Sequence, residues 1–245
     1  MRRVVSSIPH PSESETRAQN APVESWLAAT LRHSTLRAMV ATSSDKFPAP
    51  VSYAVFFLSG MAAILYQILW QRAVFAMFGS DNESVTIVVS AFMLGLGIGS
   101  LVGGVLSRRF ADHLIMVFAA IEAAIGLFGL VSLGYFRLLR DLTLNASDLT
   151  LHIVSFVGVA LPVGLMGMTL PVLVAYLVRQ TDNVGHSVGV LYYVNTLGSA
   201  IGCFVGAFGL FAALGLSGSV TVAASANLLA AVVVVLVDRF VRGRE

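Results

Sequence analysis

One cysteine, Cys203, stands in 245 residues, and it lies inside an apolar run. A disulfide framework and a thiolate metal site are therefore excluded. The five histidines, His10, His33, His113, His152 and His186, are scattered without metal-ligand spacing, so no metal is expected. Charge is scarce: 11% of residues are Asp, Glu, Lys or Arg, against roughly 25% in soluble domains. The formal net charge is only +2, and no basic stripe is interleaved with aromatics. Nucleic acid is excluded as a partner on both counts. No glycine-rich cradle or carboxylate pair appears in the polar stretches, and no cofactor is expected. The first 49 residues also lack the apolar core of a secretory leader.

What is present in quantity is apolar surface. Hydrophobic residues make up 57% of the chain, and the mean hydropathy is +0.85. Between Val51 and Val237 this surface falls into six runs, at 51–78, 84–106, 114–136, 150–178, 187–213 and 217–237. A run of about 20 apolar residues is long enough to cross a bilayer. In lipid each must be helical, because unpaired amides find no water there. The expected fold is all-α and polytopic, with six transmembrane helices at 50–238. A polar tail at 1–49 and a short basic tail at 239–245 flank it. Within the first tail, Glu24 to Val40 either forms a surface helix, offering Trp26, Leu27, Leu31 and Met39 to the membrane, or stays unstructured.

Cations near the run ends set the expected orientation. One side holds Arg32, Arg37, Lys46, Arg108, Arg109, Arg179, Arg239, Arg242 and Arg244; the other holds Arg72, Arg137 and Arg140. This places both termini in the cytoplasm, in what is expected to be a bacterial inner membrane. Asp81, Glu83, Asp141 and Asp148 form an acidic rim opposite.

An internal echo runs through the chain. Gly95, Gly99 and Gly103 recur every four residues in run 2, and Gly198, Gly202 and Gly206 do so in run 5. That spacing puts small residues on one helix face, where backbones approach closely. Runs 3 and 6 hold Glu122 and Asn227 at comparable places. Two inverted three-helix repeats, a recurrent transporter plan that resembles half a major-facilitator fold, are expected.

Glu122 is the one acid inside an apolar run. Such a residue faces a cavity or a partner, because exposing its charge to lipid costs about 3 kcal/mol or more. At about 1.5 Å per residue, Glu122, Asn195 and Asn227 share one layer roughly 12–15 Å deep, with Tyr192 and Tyr193 just below. This layer is either a proton- or cation-binding site or a hydrogen-bonded clasp holding helices 3, 5 and 6. In run 1 the stretch "YQILWQR" pairs Tyr66 with Trp70 and Gln67 with Gln71 at four-residue spacing. Arg72 falls near the outer interface, as an anchor. Run 4 reads "LPVGLMGMTLP"; Pro162, Gly164, Gly167 and Pro171 predict a helix that kinks or partly unwinds. The basic stretch "GGVLSRRFADH" joins runs 2 and 3.

Four segments together carry a resemblance: "FFLSGMAAILYQILWQRAVFAMFGS", "AFMLGLGIGSLVGGVLSRRFAD", "LPVGLMGMTLPVLVAYLVR" and "GVLYYVNTLGSAIGCFVGAFGLFAALGLSG". They resemble the membrane portion of bacterial fused major-facilitator/spermidine-synthase proteins, over residues 53 to 237. Glu122, Asn195 and Asn227 match that family's usual residues, whereas Gln67 and Arg108 stand where it often has acids. Enzymatic members of the family continue into a Rossmann-like aminopropyltransferase domain, which this sequence does not include. The resemblance therefore implies a non-enzymatic membrane module. Its expected role is to bind or move a small cationic or amphiphilic solute such as a polyamine, with Glu122, Asn195, Asn227, Tyr192, Tyr66 and Gln67 as candidate binding residues. The alternative is an anchor docking a separate Rossmann-type synthase-like partner. Beyond the bilayer, the expected partners are that enzyme or a second copy of the chain.

Overall fold

A computed structural model describes residues 47–243. The surface helix expected at Glu24 to Val40, nearly all of the polar tail, and Arg244 lie outside the described residues. The described chain is all-helical, without a strand. Helices α1 (Ala49–Phe78), α2 (Asp81–Arg109), α3 (Leu114–Thr143) and α4 (Asp148–Thr181) are followed by α5 (Val184–Val205) and α6 (Phe211–Arg242). The helical unit thus begins beside residue 50 and runs past residue 238 into the basic tail.

Local chemistry explains the joints. Pro48 precedes α1, where a missing amide is harmless. Gly79 ends α1 at φ 67°, the left-handed conformation that costs glycine least. The Ser147 hydroxyl accepts the Thr150 amide to cap α4, and Asn183 Oδ1 accepts the His186 amide to cap α5. The short connections between α1 and α5 reverse the chain at each step, and α2 packs against α1 and α4 rather than against α3.

The α5–α6 joint departs from expectation. Among the described residues five stretches are long and apolar enough to cross a membrane, where six were expected; the last, Val184–Arg242, is 59 residues long. Helical bonding continues through a π-helical turn at Gly206–Leu210 into α6, and no loop separates the two. The backbone leaves the helical region only at Gly215, at φ 65° and ψ −170°. The direction of the chain nevertheless reverses here. Phe56 and Trp70 of α1 meet Phe118 and Phe136 of α3 in order, so those helices run parallel. Gly198, Gly202 and Gly206 meet Phe57, Met61 and Leu65 in order, so α5 parallels α1. On α6, Asn227 meets Glu122 while Ala224 meets Gly126, an antiparallel register against α3.

Both glycine rows are helix seams. A Cβ on Gly99 would collide with the Gly164 carbonyl oxygen and lie 2.9 Å from Gly167 Cα. One on Gly198 would collide with the Phe57 carbonyl oxygen. Thus α2 lies against α4, and α5 against α1, at backbone contact. The interior holds polar groups while large apolar side chains point outward: Met93, Leu101 and Phe208 are each 74% exposed.

The proline helix does not unwind. α4 is continuous through Pro162 and Pro171, because side chains take up the carbonyls those residues leave without an amide. Ser100 Oγ donates to Gly167 O at 3.2 Å, four residues before Pro171. Tyr135 Oη donates to Gly158 O at 3.3 Å, four residues before Pro162. Gly164 and Gly167 admit α2 rather than loosening α4.

Candidate functional site: a buried carboxyl clasp beside a polar cavity

Glu122 has no exposed surface. It sits on the inward face of α3 with Phe118, Ile125 and Gly126, where only a hydrogen-bonding neighbour makes a carboxyl tolerable. Two neighbours provide that. Ser59 Oγ of α1 donates to Oε1 at 2.6 Å, and Asn227 Nδ2 of α6 donates to Oε2 at 2.6 Å. No cation pairs with Glu122 among the described residues. Asn227 Oδ1 is left without a partner, as are the nearby Ser52 Oγ, Tyr66 Oη and Trp70 Nε1 of the α1 core.

Ser59 has a second exposure. It lines a cavity of about 270 Å³ framed by α1, α2, α4 and α5, together with Gln67, Ser100, Thr169, Tyr192, Asn195 and Ser199. Phe56, Phe92, Leu96 and Met166 give this cavity apolar walls. Glu122 itself is not in the wall. It stands one hydrogen bond behind it, through Ser59.

The layer read from the sequence therefore divides. Glu122 and Asn227 meet. Asn195 does not join them: its side chain lies against Gly60 and faces the cavity. Gln67 and Tyr192 are also at the cavity, with Tyr192 64% exposed. Tyr66 is fully buried, its ring 4.9 Å from that of Trp70. Trp70 in turn touches Phe92, Phe128 and Phe136. This aromatic pair is core rather than interface, because its helix face turns toward α3.

Sequence reasoning missed Ser59, Ser100 and Ser199. A lone serine in an apolar helix ordinarily bonds back to its own preceding turn. The available signals were indirect: a buried acid requires a donor, and each proline frees a carbonyl four residues earlier. Ser199 Oγ donates to Gly60 O and to Asn195 O, each at 3.0 Å, which ties α5 to α1 at the cavity floor.

An all-helical module with a buried carboxyl clasp and an adjoining polar cavity is thus defined. Its sequence is 27% identical over 212 residues to polyamine aminopropyltransferases from Mycobacterium tuberculosis and Mycobacterium bovis. The match covers 80% of this chain and 39% of each relative, so the chain spans about two fifths of the curated proteins it matches. No family model matches. No solved structure matches.

These relatives correct one expectation. The sequence was read as non-enzymatic because it includes no aminopropyltransferase domain, yet the proteins it matches are named as enzymes. Nothing positive shows that a catalytic domain is absent. The matches give a likeness to polyamine aminopropyltransferases; they do not show a fusion with a major-facilitator module.

Proposed function

We propose that this chain is an integral membrane module that binds a small cationic or amphiphilic solute, such as a polyamine, in the Ser59 cavity and moves it. The observation that carries this reading is Ser59 itself, shared between the cavity wall and the buried Glu122. A protonated amine is a pure hydrogen-bond donor. The cavity supplies acceptor oxygens from Gln67, Asn195, Ser59 and Ser199, and an aromatic face from Tyr192. The methylene chain of a polyamine packs against Phe56, Phe92, Leu96 and Met166. Glu122, behind Ser59, is the acid that answers the amine's charge.

The module crosses a bacterial inner membrane six times, with both termini cytoplasmic and two inverted three-helix halves resembling half a major-facilitator fold. The positive-inside distribution supports the orientation. The packing supports the halves. Exchanging α1, α2, α3 with α4, α5, α6 turns the α1–α5 seam into the α4–α2 seam, and both seams are parallel and lined by a glycine row. The α3–α6 pair maps onto itself, with Glu122 facing Asn227.

The test is uptake and equilibrium binding of spermidine and putrescine by the purified chain in liposomes. Saturable binding should weaken about tenfold or more in Ser59→Ala and Gln67→Ala, the scale of a lost hydrogen bond to a charged group. Absence of binding and uptake, with Glu122→Gln behaving as wild type, would remove the reading.

A second reading is favoured by the matches to polyamine aminopropyltransferases. In it the module anchors synthase-like enzymatic machinery at the membrane. Mild-detergent purification from cells would then recover a Rossmann-type aminopropyltransferase with it.

A further inference from the structure

Three arginines converge at the end of the bundle where α1 and α3 finish and α6 restarts after Gly215. Arg72, Arg137 and Arg140 line a cavity of about 130 Å³, whose other walls include Leu133, Phe136 and Leu216. The three side chains come from two helices that run parallel, so their guanidinium groups reach the same end together. Their partners are few. Arg140 donates through Nε and Nη2 to Asp141 Oδ1, at 3.1 and 2.9 Å. The Arg72 guanidinium lies 4.7 Å from the Phe211 ring centroid, a contact that orients the group without neutralising it. Asp81 lines an adjoining cavity with Arg72 but forms no ion pair with it. Arg137 has no hydrogen-bond or ion-pair partner among the described residues.

We propose that this cleft binds an anion of the phosphate class, either the phosphodiester of an anionic lipid or a free phosphate. Asp141 is bonded to Arg140 and Asp81 stands beside Arg72, so two carboxylates face three guanidinium groups and the cleft keeps a small net positive charge that an anion would neutralise. Arginine is the residue suited to the task. Its planar fork meets two oxygens of one phosphate at once, and its charge persists at every physiological pH. All three arginines are exposed, so an anion reaches their guanidinium groups directly. The cavity has the volume of about four waters, taking roughly 30 Å³ for each, which is room for one phosphate group held from several sides. Arg137, unpartnered, is the side chain free to close on it. The lipid source rests on the membrane orientation proposed above, which puts this end at a headgroup layer. The free-phosphate source does not.

The experiment uses the full chain in neutral detergent. Thermal unfolding and native mass spectrometry are followed while inorganic phosphate, phosphatidylglycerol or phosphatidylcholine is added. One bound phosphate-bearing molecule per chain and a raised melting temperature are expected. Affinity should fall at least tenfold in Arg72→Gln/Arg137→Gln, fall less in Arg137→Lys, and be unchanged in the opposite-end control Arg108→Gln/Arg109→Gln. Response to inorganic phosphate identifies a soluble anion; response to phosphatidylglycerol alone identifies a lipid headgroup. If the double variant fails to fold, Arg137→Gln, which breaks no hydrogen bond or ion pair among the described residues, gives the same reading. No response to phosphate or phosphatidylglycerol, or equal loss in the opposite-end control, overturns the site. Neither result depends on whether spermidine binds.

Discussion

Asn227 on α6 donates to Glu122 on α3 at 2.6 Å, across 105 residues of sequence. With Ser59 on the other carboxyl oxygen, it ties three helices to one side chain. Asn227→Ala should therefore destabilise the bundle by about 1–2 kcal/mol, the upper range for a hydrogen bond between membrane helices. Asn195→Ala, which breaks no bond to Glu122, should cost less. Thermal unfolding of both variants in one detergent decides this, and equal losses would contradict the clasp.

The glycine rows can be tested against neighbouring glycines. Gly99→Ala and Gly198→Ala drive a methyl into the backbone of a facing helix. Gly97→Ala and Gly189→Ala add one to open space. The first pair should lower the melting temperature markedly. The second should leave it unchanged or raise it slightly, since alanine is favoured over glycine in a helix by about 1 kcal/mol.

Ser100 and Pro171 form a pair whose effects should not add. Ser100→Ala leaves the Gly167 carbonyl unpaired and should cost about 1 kcal/mol. In Pro171→Ala the restored amide takes that carbonyl, and removing the Ser100 hydroxyl should then cost almost nothing. A double-mutant cycle reads this coupling directly. Additive effects would mean that the hydroxyl does not serve the proline.

Gly215 holds a conformation almost confined to glycine, and Gly79 a left-handed one that asparagine tolerates. Gly215→Ala should cost about 1–3 kcal/mol. Gly79→Asn should be nearly neutral. Thermal unfolding of the two variants checks the contrast.

Much of this arrangement is legible in the residues. Apolar runs gave the helices, the four-residue glycine spacing gave a close-packing face on α2 and on α5 but not the helix that meets it, and an isolated acid pointed to Asn227. Other features were not legible, for physical reasons. Depth along a helix says nothing of azimuth, so Asn195 was grouped with Glu122 although it faces the cavity. Four-residue spacing put Tyr66 and Trp70 on one helix face without saying where that face turns, and it turns into the core, which takes Tyr66 away from the cavity. Proline signals a lost hydrogen bond but not its replacement, so a kink or partial unwinding was expected, and Ser100 and Tyr135 supply donors along a continuous α4. The gap between the runs at 187–213 and 217–237 brackets Gly215, where the backbone leaves the helical region, but no polar loop separates α5 from α6.

A Ser59 cavity that takes a polyamine, as proposed, must be open to water. Gln67→Cys in a Cys203→Ser background places one thiol on its wall, and the rate of alkylation by a charged maleimide reports access. On the proposed function the thiol reacts, and spermidine slows the reaction in a saturable way. A thiol that does not react, or one that reacts at the same rate with spermidine in excess, would contradict it.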